Sequence, residues 1–258
     1  DTEVIAYMLV RHKLEDLPLD KAVSRLMDEL RGAYSLLVMG RDKLVAARDP
    51  WGFRPLCMGR IDNGYVFASE SCAFDTIGAE FIRDIEPGEI VTIDKEGNVF
   101  SDKSHTGREQ KSFCVFELIY FARPDSVIDG VSVQLARQRA GAFLALEHPV
   151  QADVVIGVPD SGIEAALGYS RQSGIPYSTG LIKNKYIGRT FIQPDQRMRE
   201  DSVRIKLNPI PSAVKGKRVV LIDDSIVRGT TSKRIVKLLR DAGAKEVHFM
   251  SSAPKFLY

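Results

Sequence analysis

Two adjacent carboxylates, Asp223 and Asp224, follow four apolar residues and precede a short loop that ends at Thr231. A fully apolar run of this length is typical of a strand buried on both faces of a parallel sheet, and such sheets bind ligands at the carboxyl ends of their strands. The carboxylates can accept hydrogen bonds from the two hydroxyls of a ribose and lie near a Mg²⁺ ion. Backbone N–H groups of the loop and of the following helix can bind a phosphate. The stretch therefore predicts a site for a ribose and its 5-phosphate.

The same string resembles the 5-phosphoribosyl-1-pyrophosphate (PRPP) signature of type I phosphoribosyltransferases. The resemblance implies that Asp223 and Asp224 hold the ribose hydroxyls and Mg²⁺. It also implies that the 5-phosphate is held by the loop, namely by Ser225, Arg228, Gly229, Thr230 and Thr231. The alternative is a strand end whose aspartates only cap a turn.

A second loop has the same construction. The apolar run 153–158 leads into Pro159-Asp160-Ser161-Gly162, and a helix is expected to begin at about Ile163. A strand, a short turn with Ser and Gly, and a helix start together form an anion site. In the resembled family this is the pyrophosphate loop. The resemblance therefore assigns pyrophosphate contact to Asp160, Ser161 and Gly162, and a metal contact to Ser161.

The segment between these two strands, from Leu181 to Lys206, is rich in Lys and Arg and lacks helix or strand periodicity. It is either a solvated basic loop or a lid that closes over a polyanion, excludes water and neutralises the leaving pyrophosphate. The resemblance favours the lid and assigns catalytic contacts to Lys183, Tyr186 and Arg189.

The predicted secondary-structure elements form two different kinds of fold, and the elements that would position these loops form the α/β one. A long helix is predicted over 131–147, with Leu135 and Phe143 in its inward stripe, and the helix after Asp224 is predicted to run to about Asp241. With the apolar strands, these helices predict an α/β doubly wound parallel sheet of the type I phosphoribosyltransferase kind.

The first hundred residues instead predict helices over 2–11 and 18–31, packed on antiparallel strands at 34–39, 43–48, 65–69, 81–85, 90–94 and 98–101. The segment 47–56 is too polar to form part of a core. Its prolines and glycine fix the path of the backbone, and Arg48, Asp49 and Arg54 can brace that path. With Phe67-Ala68-Ser69-Glu70-Ser71 and Asp1-Thr2-Glu3, it resembles the glutaminase domain of class II glutamine amidotransferases.

This second resemblance implies an α+β, N-terminal-nucleophile-type antiparallel sandwich, of which only the rear half is expected. The family's nucleophile is an N-terminal cysteine with a free α-amino group as its base, which the internal Cys57 and Cys72 lack. Asp1 matches the aspartate that holds the α-amino group of glutamine. We therefore expect a piece of a longer protein, cut at both ends, that does not hydrolyse glutamine by itself.

A polar connection around 101–112 marks the predicted boundary, with a glutaminase part at 1–108 and a phosphoribosyltransferase part at 109–258. His105 lies in this connection and is expected to be a surface residue. Beyond it, 113–126 resembles the junction between the two domains of amidophosphoribosyltransferases. Cys114 matches the position of a [4Fe-4S] ligand in one subgroup of that family. Such a cluster needs four thiolates, and the alternative is a buried small hydrophobe.

Composition excludes several other classes of protein. The chain has 258 residues, 44% hydrophobic and 27% charged, with a formal net charge of +2, so charge favours neither a nucleic-acid nor a membrane partner. Three widely spaced cysteines and the absence of a long apolar run favour a reducing cytoplasm.

The resemblance to amidophosphoribosyltransferases covers essentially the whole chain. It implies an enzyme that uses PRPP and glutamine, with purine nucleotides as feedback inhibitors and assembly into a homodimer or homotetramer. Three other readings remain: a non-enzymatic PRPP-binding regulator, a base-salvage phosphoribosyltransferase and a degenerate structural subunit.

Overall fold

The computed structural model describes residues 2–14, 16–184, 207–227 and 229–254. The chain divides into a first unit, Asp1–Glu117 with Asp125–Ser132, and a second unit, Leu118–Pro124 with Val133–Tyr258. The chain therefore passes between the units at three places, after 117, 124 and 132. This division is interleaved, whereas the sequence predicted one boundary between 108 and 109, and that boundary stays a prediction.

The first unit contains two antiparallel sheets with helices, as the sequence predicts. The four-stranded sheet has the order β1-β2-β6-β7 and the three-stranded sheet the order β4-β3-β5. Its elements are α1 (Thr2–Lys13), α2 (Leu19–Glu29), β1 (Ser35–Met39), β2 (Lys43–Arg48), β3 (Cys57–Ile61), β4 (Gly64–Ala68), α3 (Cys72–Ile77), β5 (Glu80–Asp84), β6 (Ile90–Asp94), β7 (Val99–Asp102) and the hairpin β8 (Val127–Ile128) with β9 (Val131–Ser132).

Alternating side chains of the four-stranded sheet enter two separate cores. Val45 and Ile90 face helices α1 and α2, where they pack with Leu26. Ala46 and Val91 face the opposite way and pack with Met58 of β3. This alternation is the period of two expected for strands, and it places the sheet between a helical layer and a second sheet.

The second unit is built on three parallel strands in the order β10-β13-β14. A π-helical turn at Glu117–Phe121 spans the first passage into it. Its elements are α4 (Val133–Glu147), β10 (Val154–Gly157), α5 (Ile163–Ser173), β11 (Leu181–Lys183), β12 (Leu207–Pro209), α6 (Pro211–Val214), β13 (Arg218–Asp223), α7 (Thr230–Asp241) and β14 (Glu246–Ser251). The predicted combination of antiparallel and parallel sheets is confirmed. In the described ranges no helix combines the length and apolarity that a bilayer crossing needs.

Helices α4 and α5 touch through their backbones at two glycines. A Cβ on Gly141 would lie 1.8 Å from the Ala165 carbonyl oxygen, and a Cβ on Gly168 would lie 1.9 Å from that of Gln138. Gly141 therefore faces inward on α4. The predicted inward stripe was wrong for Leu135 and Phe143, which are 52% and 63% exposed, because the glycine contact turns them outward.

The prediction of His105 as a surface residue was also wrong. Its side chain is 2% exposed. Its Nε2 lies 3.1 Å from Asp28 Oδ1 and its Nδ1 lies 3.1 Å from Ser104 Oγ. The polar connection around 101–112 packs against the rest of the first unit, because the backbone at Gly88 contacts the His105 carbonyl directly.

Candidate functional site

The two predicted ligand loops leave the carboxyl ends of the neighbouring strands β10 and β13. Val158 N donates a hydrogen bond to Ile222 O at 2.8 Å. A Cβ on Gly162 would lie 2.3 Å from the same carbonyl oxygen, so only glycine allows this approach. As a result, Ser161 Oγ donates a hydrogen bond to Asp224 Oδ1 at 2.7 Å. The structure thus brings together residues 63 positions apart that the sequence assigned to one ligand.

Hydroxyl and amide donors hold the paired carboxylates in place. Asp224 Oδ2 accepts a second hydrogen bond, from Ser225 Oγ at 2.6 Å, and Asp223 Oδ1 accepts one from Asp224 N at 3.0 Å. Asp223 and Asp224 are each 8% exposed. The pair is therefore fixed in orientation before any ligand arrives.

The electrostatics of this pair favour a cation. Burial, and then the neighbouring charge of Asp224, raise the pKa of Asp223 well above the usual carboxyl range. Among the described residues no Lys or Arg contacts either carboxylate, and no group of three or more His, Cys, Asp or Glu side chains is placed to hold a metal ion. Mg²⁺ is usually held by one or two carboxylates together with substrate phosphates. Two buried acids beside a serine hydroxyl therefore fit a Mg²⁺ ion shared with a phosphorylated ligand.

Strand β14 completes the support of the aspartates in a way that the sequence analysis missed. Ser251 Oγ and Ala253 N donate hydrogen bonds to Asp224 O at 3.1 and 2.8 Å. Ser252 N donates to Asp223 O at 2.9 Å. A weaker form of the same signal was available, because Ser251-Ser252 directly follows the apolar pair Phe249-Met250.

The predicted phosphate loop leads into the first turn of α7. Gly229 adopts a left-handed conformation with φ 70°, and Ser232 Oγ donates a hydrogen bond to Gly229 O at 3.0 Å. Thr230 and Thr231 are exposed in the first turn. Backbone N–H groups there have no partner within a helix, so they suit an anion. Arg228 lies outside the described residues.

At the start of the basic segment, Lys183 ends β11, which pairs antiparallel with β12. Its Nζ forms an ion pair with an Asp160 carboxylate oxygen. The anion loop and the basic segment therefore meet at these two side chains. The other predicted catalytic residues, Tyr186 and Arg189, and the predicted glutamine contact Asp1 lie outside the described residues.

Cys114 is half-buried, and its amide donates a hydrogen bond to Phe53 O at 3.1 Å. The chain has three cysteines, whereas a [4Fe-4S] cluster needs four thiolates. Cys57 and Cys72 are buried within the first unit. The cysteines of this chain alone therefore do not fit the predicted iron–sulfur cluster.

The predicted brace in the first unit is present and more extensive than expected. The fully buried Arg48 donates hydrogen bonds to the carbonyls of Arg54, Gly52 and Ile85 at 2.9, 3.3 and 2.8 Å. It also forms a two-point pair with Asp129, both distances being 2.9 Å. The sequence did not suggest Asp129, because it lies 81 residues away.

Family models match both parts of the chain. One described as a phosphoribosyl transferase domain matches residues 135–255, and one described as a glutamine amidotransferase domain matches residues 1–76.

Relatives match over nearly the whole chain. The amidophosphoribosyltransferase of Methanocaldococcus jannaschii is 53% identical over 271 residues, covering 100% of this chain and 57% of that protein. That of Bacillus subtilis is 50% identical over 254 residues, covering 98% of this chain and 52% of that protein. The solved glutamine PRPP amidotransferase of B. subtilis, complexed with ADP and GMP, has a TM-score of 0.89 at 50% identity, covering 100% of this chain and 56% of that chain. The chain thus spans a little over half the length of these relatives.

Proposed function

Because the chain belongs to the amidophosphoribosyltransferase family, we propose that its protein, at the length of those relatives, catalyses the first step of de novo purine synthesis. The proposed reaction converts PRPP, glutamine and water into 5-phosphoribosylamine, glutamate and pyrophosphate. Ammonia released from glutamine replaces pyrophosphate at C1 of the ribose. The hydrogen bond from Ser161 to Asp224 carries this proposal, because it joins the loop proposed to hold the pyrophosphate to the acids proposed to hold the ribose.

In this mechanism the second unit supplies position and charge rather than a covalent nucleophile. Asp223 and Asp224 accept hydrogen bonds from the ribose hydroxyls and stabilise positive charge developing on the ribose. The loop from Ser225 through Arg228, Gly229, Thr230 and Thr231 holds the 5-phosphate. Asp160, Ser161 and Gly162 hold the pyrophosphate.

Mg²⁺ bound with PRPP would neutralise charge on the leaving pyrophosphate. Ser161, Asp223 and Asp224 are the residues proposed to hold it. Lys183 is proposed to contact the same group, since its ammonium already lies beside the anion loop at Asp160. Tyr186 and Arg189 are proposed to join it.

The glutamine reaction is proposed to need a cysteine nucleophile that is not among the residues of this chain. Burial raises the pKa of the Cys57 thiol to about 12, so it holds almost no reactive thiolate at neutral pH. Cys72 is buried as well. Asp1 is proposed to hold the α-amino group of glutamine.

Further properties of the relatives extend to this protein as proposals. The B. subtilis structure contains ADP and GMP, which supports purine nucleotides as feedback inhibitors here. Assembly into a homodimer or homotetramer and a cytoplasmic location are proposed as well. A [4Fe-4S] cluster with Cys114 as one ligand would require further thiolates. Iron and sulfide assays on the full-length protein, with Cys114→Ser as the comparison, test this proposal.

Pyrophosphate release by the full-length protein tests the enzyme proposal. We expect PRPP to release pyrophosphate with ammonium or glutamine and not with nucleobases. Release with a nucleobase would indicate a salvage enzyme, and PRPP binding without release would indicate a regulator. Asp224→Asn should abolish most of the release, whereas Asp241→Asn, at the exposed end of α7, serves as the matched control.

A further inference from the structure

Asp160 places a negative charge in the loop that is proposed to hold pyrophosphate. This anion loop, residues 159–162, contains one acidic side chain and no basic one. Like charges repel, and an ionised carboxylate accepts hydrogen bonds but donates none, so the Asp160 side chain opposes a bound pyrophosphate. Favourable contacts from the loop would come from its backbone N–H groups and from Ser161. The presence of the acid therefore needs another explanation.

The carboxylate of Asp160 is not needed to shape the loop. Gly162 N donates a hydrogen bond to Val158 O at 2.9 Å, and Ala166 N donates one to Gly162 O at 3.0 Å. The Asp160 side chain is 70% exposed and pairs with Lys183. Within the described ranges no backbone N–H group donates to this carboxylate. The backbone path of the loop is therefore set without it.

The strand that carries Lys183 brings this residue to the loop independently of the ion pair. Leu181 and Leu207, on the paired strands β11 and β12, are 2% and 6% exposed and belong to the core of the second unit. A Cβ on Gly180 would lie 2.1 Å from Ile156 Cδ1, so the backbone that enters β11 lies directly on a side chain of β10. Loss of the carboxylate would therefore leave the ammonium within reach of the loop.

The ion pair between Asp160 and Lys183 is exposed enough to be exchanged. The Lys183 side chain is 36% exposed, and ion pairs in such surroundings contribute little to stability. A pyrophosphate carries more negative charge than one carboxylate and attracts the same ammonium more strongly. Contact between Lys183 and a pyrophosphate would then replace the pair, and the net affinity would be lower by the free energy of the pair that is broken.

We propose that Asp160 is a positioning residue that competes with pyrophosphate for the Lys183 ammonium, so that the product binds less tightly and leaves faster. This inference rests on the proposed function. The simpler explanation is that the pair only fastens β11 to the loop. The two explanations predict opposite signs, because loss of a fastening contact would weaken pyrophosphate binding or leave it unchanged.

The test measures binding of inorganic pyrophosphate to the full-length protein by calorimetry at a fixed Mg²⁺ concentration. Asp160→Asn removes the charge and keeps the size of the side chain. We expect the Kd for pyrophosphate to fall about fivefold, the upper range for one exposed ion pair. In ammonia-dependent synthesis the KM for PRPP should fall as well, and kcat should not rise, because the product leaves more slowly.

Asp153→Asn is the matched control. Asp153 forms an exposed pair with Arg218 at the opposite, amino-terminal ends of β10 and β13, with Nη2 of Arg218 2.8 Å from Asp153 Oδ1. This substitution removes one acid from a comparable pair far along the same strands. It should leave the Kd for pyrophosphate and the KM for PRPP unchanged. A similar tightening in this control would assign the effect to net charge and overturn the proposal.

A second comparison tests whether Asp160 acts through Lys183. Repulsion between Asp160 and pyrophosphate is present with or without the lysine, whereas competition requires it. Asp160→Asn should therefore tighten pyrophosphate binding less in a Lys183→Gln background than in the unmodified protein. Equal or greater tightening in that background overturns the proposal.

An unchanged or raised Kd in Asp160→Asn also overturns the proposal. The binding measurement needs no turnover. A protein that binds pyrophosphate but releases none from PRPP with ammonium or glutamine would instead overturn the proposed function, so the two failures are distinguishable.

Discussion

Buried carboxylates of the two units are stabilised by different partners. In the first unit, Glu89 is 0% exposed and pairs at two points with Arg83, both distances being 2.7 Å. In the second unit, Asp223 and Asp224 are almost as deeply buried, but their described partners are hydroxyl and amide groups. Burying an unpaired charge is unfavourable, so this difference agrees with the proposal that Asp223 and Asp224 bind a ligand that brings a cation.

The largest expected effect on stability concerns the paired acid. Arg83→Ala should lower the free energy of unfolding by about 3 kcal/mol, because removal of one partner leaves the other as a buried unpaired charge. Urea denaturation measures the change. Arg60→Ala, at an exposed arginine of β3, should have little effect. A small effect of Arg83→Ala on stability would contradict the proposed difference between the buried carboxylates of the two units.

The opposite behaviour is expected at the ligand site. Asp223→Asn should leave stability unchanged or raise it, since burial disfavours this charge. Ammonia-dependent synthesis should fall about 100-fold, the usual cost of removing one group that stabilises transition-state charge. Denaturation and steady-state kinetics on the same preparation check both parts. A marked loss of stability would identify Asp223 as a structural acid.

The hydrogen bonds that Ser101 and Ser161 donate to these carboxylates should differ in their contributions to stability, but by a smaller amount. Ser101 Oγ donates a hydrogen bond to Glu89 Oε1 at 2.6 Å, and Ser101→Ala should cost about 1.5 kcal/mol of stability, as for a hydrogen bond to a charged group. Ser161→Ala should cost less, because Asp224 keeps the hydroxyl of Ser225. It should instead raise the KM for PRPP. Equal stability losses with an unchanged KM would contradict this difference.

The smallest expected effect is a dependence of the protein's stability on pH. Burial raises the pKa of Glu89, but hydrogen bonds from Arg83 and Ser101 outweigh it, so the pKa lies below its ordinary value of 4.5. This contribution to stability is therefore present above pH 4.5 and is lost as the pH falls through the lowered pKa. The cost of Arg83→Ala should shrink over the same range, because a protonated Glu89 needs no cation. Denaturation at several pH values checks this, and a cost independent of pH would refute it.

Local patterns predicted much of the fold and the candidate site. The apolar run before Asp223 predicted β13, and the run before Asp160 predicted β10, because both are buried on two faces. The strand β3 was missed, since its sequence, Cys57-Met58-Gly59-Arg60-Ile61, has a glycine at its centre and no clear alternation. That glycine is required by a neighbouring backbone, as a Cβ there would lie 2.9 Å from Glu80 O.

Long-range partners could not be read from spacing. Asp129 as the partner of Arg48 depends on the chain returning to the first unit after residue 124. Buried His105 depends on Asp28, 77 residues away. The outward direction of Leu135 and Phe143 depends on which face of α4 meets α5, and hydrophobicity alone favoured the wrong face.

The contact at Gly162 has a consequence for the size of the ligand. The two loops are separated by the width of one backbone, since even a methyl group at this position would strike the Ile222 carbonyl oxygen. The bases of the two loops are therefore held at one fixed separation by main-chain contact, and a ligand proposed to contact both loops would have to match it. An analogue of PRPP with an extra methylene between C5 and the 5-phosphate should compete poorly with PRPP, even though it carries every charged group. Selection by length at this site would come from main-chain packing rather than from any side chain.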